Sequence, residues 1–372
     1  MRVALIVPGF SASADDWAIP ALQLLASELA RAHEVVLFSL RYPAGTPKQF
    51  GGLRHVALGG GTRRGLAAVA LWRRAVAAIG AAHRQQPFDV LHAFWADEAG
   101  LVAGLAGRWL SRPVLVSVAG GELVYLRDIG YGTQRSWFRR RVVGAALRLA
   151  GGVTAGSAYQ MALCQAQGVP AGRLHLAPLG LDTAHFTPAG VVSPGPLTLV
   201  QAASLVPVKN QRLLLAVLQR VRAVLPETQL ILAGEGPLAA ALHAEAQALG
   251  VAGGVRWLDK VAYPAMPAVY RQGHLYVQTS RHEAQGMAVL ESMACGLPLV
   301  GTPVGVARDL AYAPAVEDPA GLAAQIVALA QDHGRYARCR AEARAQAVAQ
   351  FSLPVTVARY GQLYDSVMQL AA

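Results

Sequence analysis

Two rhythms alternate along this chain. Residues 3–7 form an unbroken apolar run that stops at Pro8-Gly9, and residues 35–40 form another. Short continuous runs of this kind read as strands buried on both faces. Between them Leu22, Leu25 and Leu29 recur at helical spacing, which predicts a helix over 18–31. The alternation continues, with strands expected at 88–93, 113–118 and 153–155 and helices at 66–82, 99–109 and 135–149. Residues 41–65 break the pattern: they are basic, glycine-rich and without a period, and read as a long loop.

The rhythm restarts after residues 187–196, which hold three prolines and two glycines. Strands are expected at 197–202, 228–233, 255–258, 275–279 and 299–301. Helices are expected at 211–224, 238–248, 266–272, 286–295 and 321–331. Strands alternating with helices of this length build βαβ units and parallel sheets. The reading is α/β, with two doubly wound Rossmann-like domains at 1–186 and 187–350 facing a cleft. Ligands of such folds bind outside the carboxyl ends of the strands.

Composition narrows the class. Of 372 residues, 54% are hydrophobic and 15% charged, which excludes a disordered chain. Three cysteines, an odd number in a long chain, exclude a disulfide scaffold and fit a reducing compartment. Without a 20-residue apolar span or a leader pattern, a cytoplasmic chain is expected. Charge is unevenly placed. Residues 1–180 hold 19 Lys/Arg against 9 Asp/Glu, a net +10, whereas 181–372 hold 14 against 13, a net +1. The first half is therefore expected to face something anionic, such as a membrane surface on the inner face of the cell. The segment 135–149, with four arginines among Trp137, Phe138 and aliphatic residues before Arg148, fits a helix lying at such a surface.

The strongest chemistry lies in residues 280–300. A strand ends at Thr279, a loop carries Glu283, Gly286 opens a helix, and Gly296-Leu297-Pro298 closes it. A helix start beside a residue without a side chain suits an anion, because its amides are unpaired and the helix dipole favours negative charge. Two carboxylates, Glu283 and Glu291, near such a site make sense as acceptors for sugar hydroxyls.

Glu283, seven residues, Glu291 and then Ser-Met-Ala-Cys-Gly-Leu-Pro resemble the donor-site motif of the family 4 glycosyltransferases, retaining enzymes of GT-B fold. Further likeness runs along the chain in order. Asp89-Val-Leu-His92 resembles the family's strand end in the first domain, and Ala177-Pro-Leu-Gly180-Leu-Asp182 through Phe186 the segment entering the linker. Leu205-Val-Pro-Val-Lys209-Asn210 resembles its phosphate loop, and Leu232-Ala-Gly234-Glu-Gly236-Pro its next glycine turn. Residues 351–372, with Tyr360 and Tyr364, resemble the last helix, which crosses back onto the first domain.

The resemblance implies a UDP- or GDP-sugar as donor and a glycan or lipid-linked acceptor, in envelope glycolipid or polysaccharide assembly. Glu283 would bind the transferred sugar, Gly286 and Met287 the diphosphate, Glu291 the ribose, and Lys209 the leaving phosphate. Gly9, Gly234 and Ser204 are further donor-side candidates. His92 and Glu122 are acceptor-side candidates. Ser204 stands where the family has arginine, and Ala119 where it has histidine. No metal-ligand set, no GxxxxGK[ST] loop and no nucleic-acid motif occurs, so neither a metal nor any other cofactor is expected, and no nucleic acid as partner.

Overall fold

The computed structural model describes residues 1–13, 15–45, 52–190, 195–310 and 318–369. The chain divides into two compact units, Met1–Gly180 together with Leu353–Ala372, and Leu181–Ser352. The division falls after Gly180 and not after Phe186 as the linker prolines suggest. Leu181 bridges to Ser352, and the buried Phe186 packs on Tyr263 and Tyr270, so residues 181–186 belong to the second unit.

In chain order the first unit runs β1 (Arg2–Gly9), α1 (Pro20–Ala32), β2 (Glu34–Tyr42), β3 (Arg54–Ala57), α2 (Leu66–Gln85) and β4 (Val90–Phe94). It continues with α3 (Glu98–Leu110), β5 (Val114–Val118), α4 (Trp137–Leu149), β6 (Gly152–Ala155), α5 (Ala158–Ala166) and β7 (Leu174–Leu176). The strands form one sheet in the order β3-β2-β1-β4-β5-β6-β7, and every recorded pair is parallel. Helices cover both faces, which is why β1, β4 and β5 are mostly apolar, without strict alternation, and buried.

The second unit runs β8 (Thr198–Ala202), α6 (Gln211–Val224), β9 (Gln229–Ala233), α7 (Ala239–Ala248), β10 (Val255–Leu258) and α8 (Met266–Tyr270). It ends with β11 (Leu275–Gln278), α9 (Met287–Ala294), β12 (Leu299–Gly301), α10 (Pro319–Gln331) and α11 (His333–Phe351). Its parallel sheet has the order β10-β9-β8-β11-β12. The order reverses between β8 and β11, and the loops leaving those two strands flank the reversal. That is where doubly wound folds take ligands. A last helix, α12 (Leu353–Gln369), returns to the first unit and packs on α1.

Three elements depart from the sequence expectation. The long loop 41–65 contains β3, an edge strand paired to β2; its remaining stretch 46–51 lies outside the described residues. Arg54 and His55 hide it, because an edge strand need not be apolar on both faces. β7, the opposite edge, has only three residues. α11 is missed because it buries a stripe one residue wide, Cys339, Ala343, Ala347 and Phe351 at four-residue spacing, amid arginines and alanines. That spacing is the signal that would have found it.

Candidate functional site

The site grows from two loops of the second unit. After β8 the chain turns through residues 203–206 into a single 3₁₀ turn, Pro207–Lys209, and Asn210 takes a left-handed conformation to open α6. After β11 the chain runs through Thr279 to Glu283 and enters α9 at Gly286. Thr279 Oγ1 donates to the Lys209 carbonyl at 3.0 Å and Arg281 N donates to the Val208 carbonyl at 2.8 Å. These bonds fasten the two loops together.

Lys209 and Glu283, 74 positions apart in sequence, thereby meet. Nζ lies 2.5 Å from Oε1, and Ser280 Oγ donates to the same oxygen at 2.7 Å. Both side chains are partly exposed, 25% and 16%, so each can still be reached by a ligand. A pair at this depth is only partly screened, and either partner can exchange the other for a substrate group.

Gly286 has φ +98°, a conformation that suits glycine, and a Cβ there would stand 3.2 Å from Gln278 Oε1. No side chain caps α9, so the amides of its first turn lack a side-chain acceptor. Met287 is the first helical residue. Glu291 follows on the same helix, 9% exposed, its Oε2 accepting from Tyr270 Oη at 2.7 Å. Burial pushes its carboxyl up to about 7 despite that hydrogen bond. Tyr276, buried, also has its phenol pushed up, first by burial and then by the charge of Glu283, with Glu291 adding to it. It therefore stands near both carboxylates.

Gly234 and Ser204 come together beside this loop. Gly234 has φ +142°, and a Cβ there would lie 2.1 Å from the Ala203 carbonyl oxygen. Only glycine lets the turn after β9 back onto the turn after β8. Ser204 is exposed, and its carbonyl, not its hydroxyl, is engaged, accepting from Gln211 Nε2 at 3.0 Å. Gly9 closes β1 opposite Tyr42 in the first unit.

The two acceptor-side candidates are both buried and engaged inside the first unit. His92 is fully buried; Nδ1 is 2.8 Å from Tyr364 Oη and Nε2 is 2.8 Å from Ser117 Oγ. Burial lowers its pKa to about 3, so it is a neutral brace between the sheet and α12 with no free nitrogen for a substrate. Glu122, 2% exposed, turns inward to accept from the amides of Gly120, Ala119 and Ala96. It holds its own turn together.

Sequence reasoning missed Tyr270 and Ser280. Tyr270 sits 21 residues from the Glu291 it holds, on a different helix, and only folding brings them together. Ser280 was within sight, three residues before Glu283 in a turn.

Residues 19–180 match the glycosyl transferase 4-like domain, and residues 188–346 match the glycosyl transferases group 1 family. The chain belongs to the family 4 glycosyltransferases. A D-inositol 3-phosphate glycosyltransferase of Pseudarthrobacter chlorophenolicus is 30% identical to this family 4 glycosyltransferase over 250 residues, 60% of this chain and 57% of that protein. One subunit of the phosphatidylinositol N-acetylglucosaminyltransferase of Arabidopsis thaliana is 31% identical over 139 residues, 37% of this chain and 31% of that one. The matched stretch thus spans between about a third and somewhat over half of these curated relatives. Among solved structures, Anabaena HepE in complex with UDP and glucose superposes with a TM-score of 0.75 at 20% identity, covering 98% of this chain and 100% of that one. Sucrose-phosphate synthase of Thermosynechococcus elongatus gives 0.77 at 19% identity, with both chains covered in full. The fold is GT-B.

Proposed function

We propose that this chain moves a sugar from a nucleotide-diphosphate sugar, UDP- or GDP-linked, to a hydroxyl of a glycan or lipid-linked acceptor, with retention and without a metal. The observation that carries the reading is the Lys209–Glu283 pair at the sheet's reversal point, beside the uncapped start of α9 with Glu291 behind it. The amides of Gly286 and Met287 receive the diphosphate. Glu291 accepts the ribose diol. The donor phosphate takes Lys209 and the sugar hydroxyls take Glu283, so substrate replaces an internal ion pair with two matched contacts. As the bond from C1 to the leaving phosphate breaks, negative charge grows on that phosphate, and Lys209 acts mainly on this transition-state charge. The acceptor oxygen bonds to C1 on the same face, and its proton passes to the departing phosphate.

The UDP complexes of the HepE neighbour support a nucleotide-sugar donor, and the phosphatidylinositol relative supports a lipid-linked acceptor. The place of the activity is envelope glycolipid or polysaccharide assembly. The test is a thermal-shift screen with UDP-, GDP- and ADP-sugars, followed by hydrolysis of the one that binds. Saturation at 100 times Kd adds about 2.7 kcal/mol of stability. Slow hydrolysis with retained anomeric configuration upholds a transferase. Tight binding without turnover points instead to a non-catalytic nucleotide-sugar-binding protein, which the serine at position 204 favours.

A further inference from the structure

Two hollows meet on the first unit at Trp72. The larger, about 500 Å³, is lined by Arg41, Arg63, Arg64, Arg139, Asp97 and Glu98. Arg41 is taken by Glu98, donating to both of its oxygens at 2.8 and 2.6 Å. Burial raises the Asp97 carboxyl to about 6, so its charge is a reluctant one. Arg64 and Arg139 form no ion pair among the described residues. The hollow is thus left cationic, and guanidinium groups suit phosphate or carboxylate.

The second hollow, about 360 Å³, is an apolar groove with Val69, Val76, Leu105 and Trp109 among its lining. Trp109 lies against Gly80 of α2, where any Cβ would overlap its ring. Val69, Leu105 and Trp109 are 39%, 43% and 55% exposed, so the groove is an uncovered hydrocarbon surface. Trp72 lines both hollows. It is 8% exposed, its ring stacks on Phe138 at 6.2 Å, and its Nε1 has no hydrogen-bond partner among the described residues. A buried indole N–H without an acceptor is rare and points to a missing polar group at this border.

We propose that the two hollows form one binding site for an amphiphile with an anionic head and an alkyl chain. The head sits among Arg63, Arg64 and Arg139; the chain runs along the groove between α2 and α3. We take this amphiphile to be the sugar acceptor, a role that rests on the transferase reading; the ligand chemistry of the site does not. A soluble anion would use only the first hollow and a neutral lipid only the second, whereas a joined pair rewards both parts on one molecule.

Titration calorimetry on the full chain tests this with inorganic phosphate, dodecyl phosphate and dodecyl maltoside, each below its micellar concentration. Burial of even a few methylenes should make dodecyl phosphate bind at least about tenfold more tightly than inorganic phosphate. It should also exceed dodecyl maltoside. Leu105→Glu should remove the chain's contribution and leave inorganic phosphate unchanged; Val69→Gln, a milder change on the same rim, does the same if the first variant misfolds. The double variant Arg64→Ser, Arg139→Ser should weaken both phosphates. Equal affinity for the two phosphates overturns the joined site, as does indifference to both groove variants. Sedimentation with phosphatidylglycerol vesicles but no binding of the dissolved amphiphile overturns it too, in favour of a flat membrane contact. UDP-sugar binding measured on the same samples reports on the second unit alone, so failure there sinks the donor reading without touching this one.

Discussion

Glu291 sits where a carboxylate is costly, inside the protein with the Tyr270 phenol hydrogen-bonded to it. Burial raises its pKa to about 7. A diol donates two hydrogen bonds, and the anion is the form that accepts both. Donor binding should therefore tighten between about pH 6 and 8 and release a proton, and Glu291→Gln should flatten that dependence; calorimetry in buffers of different ionisation enthalpy measures both. Stability runs the other way. A carboxyl whose folded pKa is raised costs stability as pH climbs from the ordinary glutamate range through about 7. Glu291→Gln should then melt above the wild type at pH 8 and level with it at pH 5. Substitution by alanine separates the two glutamates. Glu291→Ala should weaken nucleotide-sugar binding, while Glu283→Ala should mainly lower turnover, each by about 10- to 150-fold as a charged hydrogen bond is lost. Changes under twofold in both donor Kd and kcat would remove the site assignment. At this scale the motif was legible because Glu283, Gly286 and Glu291 share one local segment. The Tyr270 partner and the Lys209 contact were not, since each requires a distant element.

α12 is an element whose role comes from what it touches. His92, Ser117 and Thr154 reach up from three neighbouring strands, and Tyr364 and Tyr360 reach down from the helix. Replacing His92 by leucine strands the Tyr364 hydroxyl in the core, whereas Ser117 keeps Thr154 and Tyr360 as partners. An unsatisfied buried group costs about 1–3 kcal/mol, so denaturant melts should show a loss of that size with donor affinity unchanged. A loss of turnover at unaltered stability would restore His92 to the acceptor side. Elements were legible where burial on both faces forces a mostly apolar run, as in β1, β4 and β5. β3 and α11 escaped because an edge strand and a helix with a one-residue seam need little apolar surface.

At the scale of the whole molecule, the first unit carries the basic excess and presents Trp137 and Phe138, 62% and 53% exposed, beside Arg139, Arg140 and Arg141. The rest of α4 buries Val142, Val143, Ala146 and Leu147, so the helix is anchored by one end and offers the other. None of the described helices is long and apolar enough to cross a membrane. Vesicle sedimentation should show binding to anionic and not neutral lipid, reduced in Arg139, Arg140, Arg141→Ser; each arginine near an anionic leaflet contributes up to about 1 kcal/mol. Equal binding to both lipids defeats the membrane contact. Among the described residues no three metal-ligating side chains come together. If, as proposed, Lys209 supplies the positive field, chelator should leave turnover unchanged, and loss in EDTA restored by Mn²⁺ or Mg²⁺ would refute that.

The sequence by itself determined the α/β rhythm, the two-part organisation, and the strand–loop–helix frame of residues 280–300. Each of these is encoded over short distances: apolar runs make strands, helical spacing makes helices, and a glycine marks a helix mouth. Tertiary structure decided the rest. It placed Lys209 on Glu283 and Tyr270 on Glu291, drew residues 181–186 into the second unit, and engaged the acceptor-side candidates His92 and Glu122 as internal braces. The physical reason is that a polar residue at a strand end can face either solvent or a partner. Which one it faces depends on what the rest of the chain, here α12 and the 119–122 turn, packs over it.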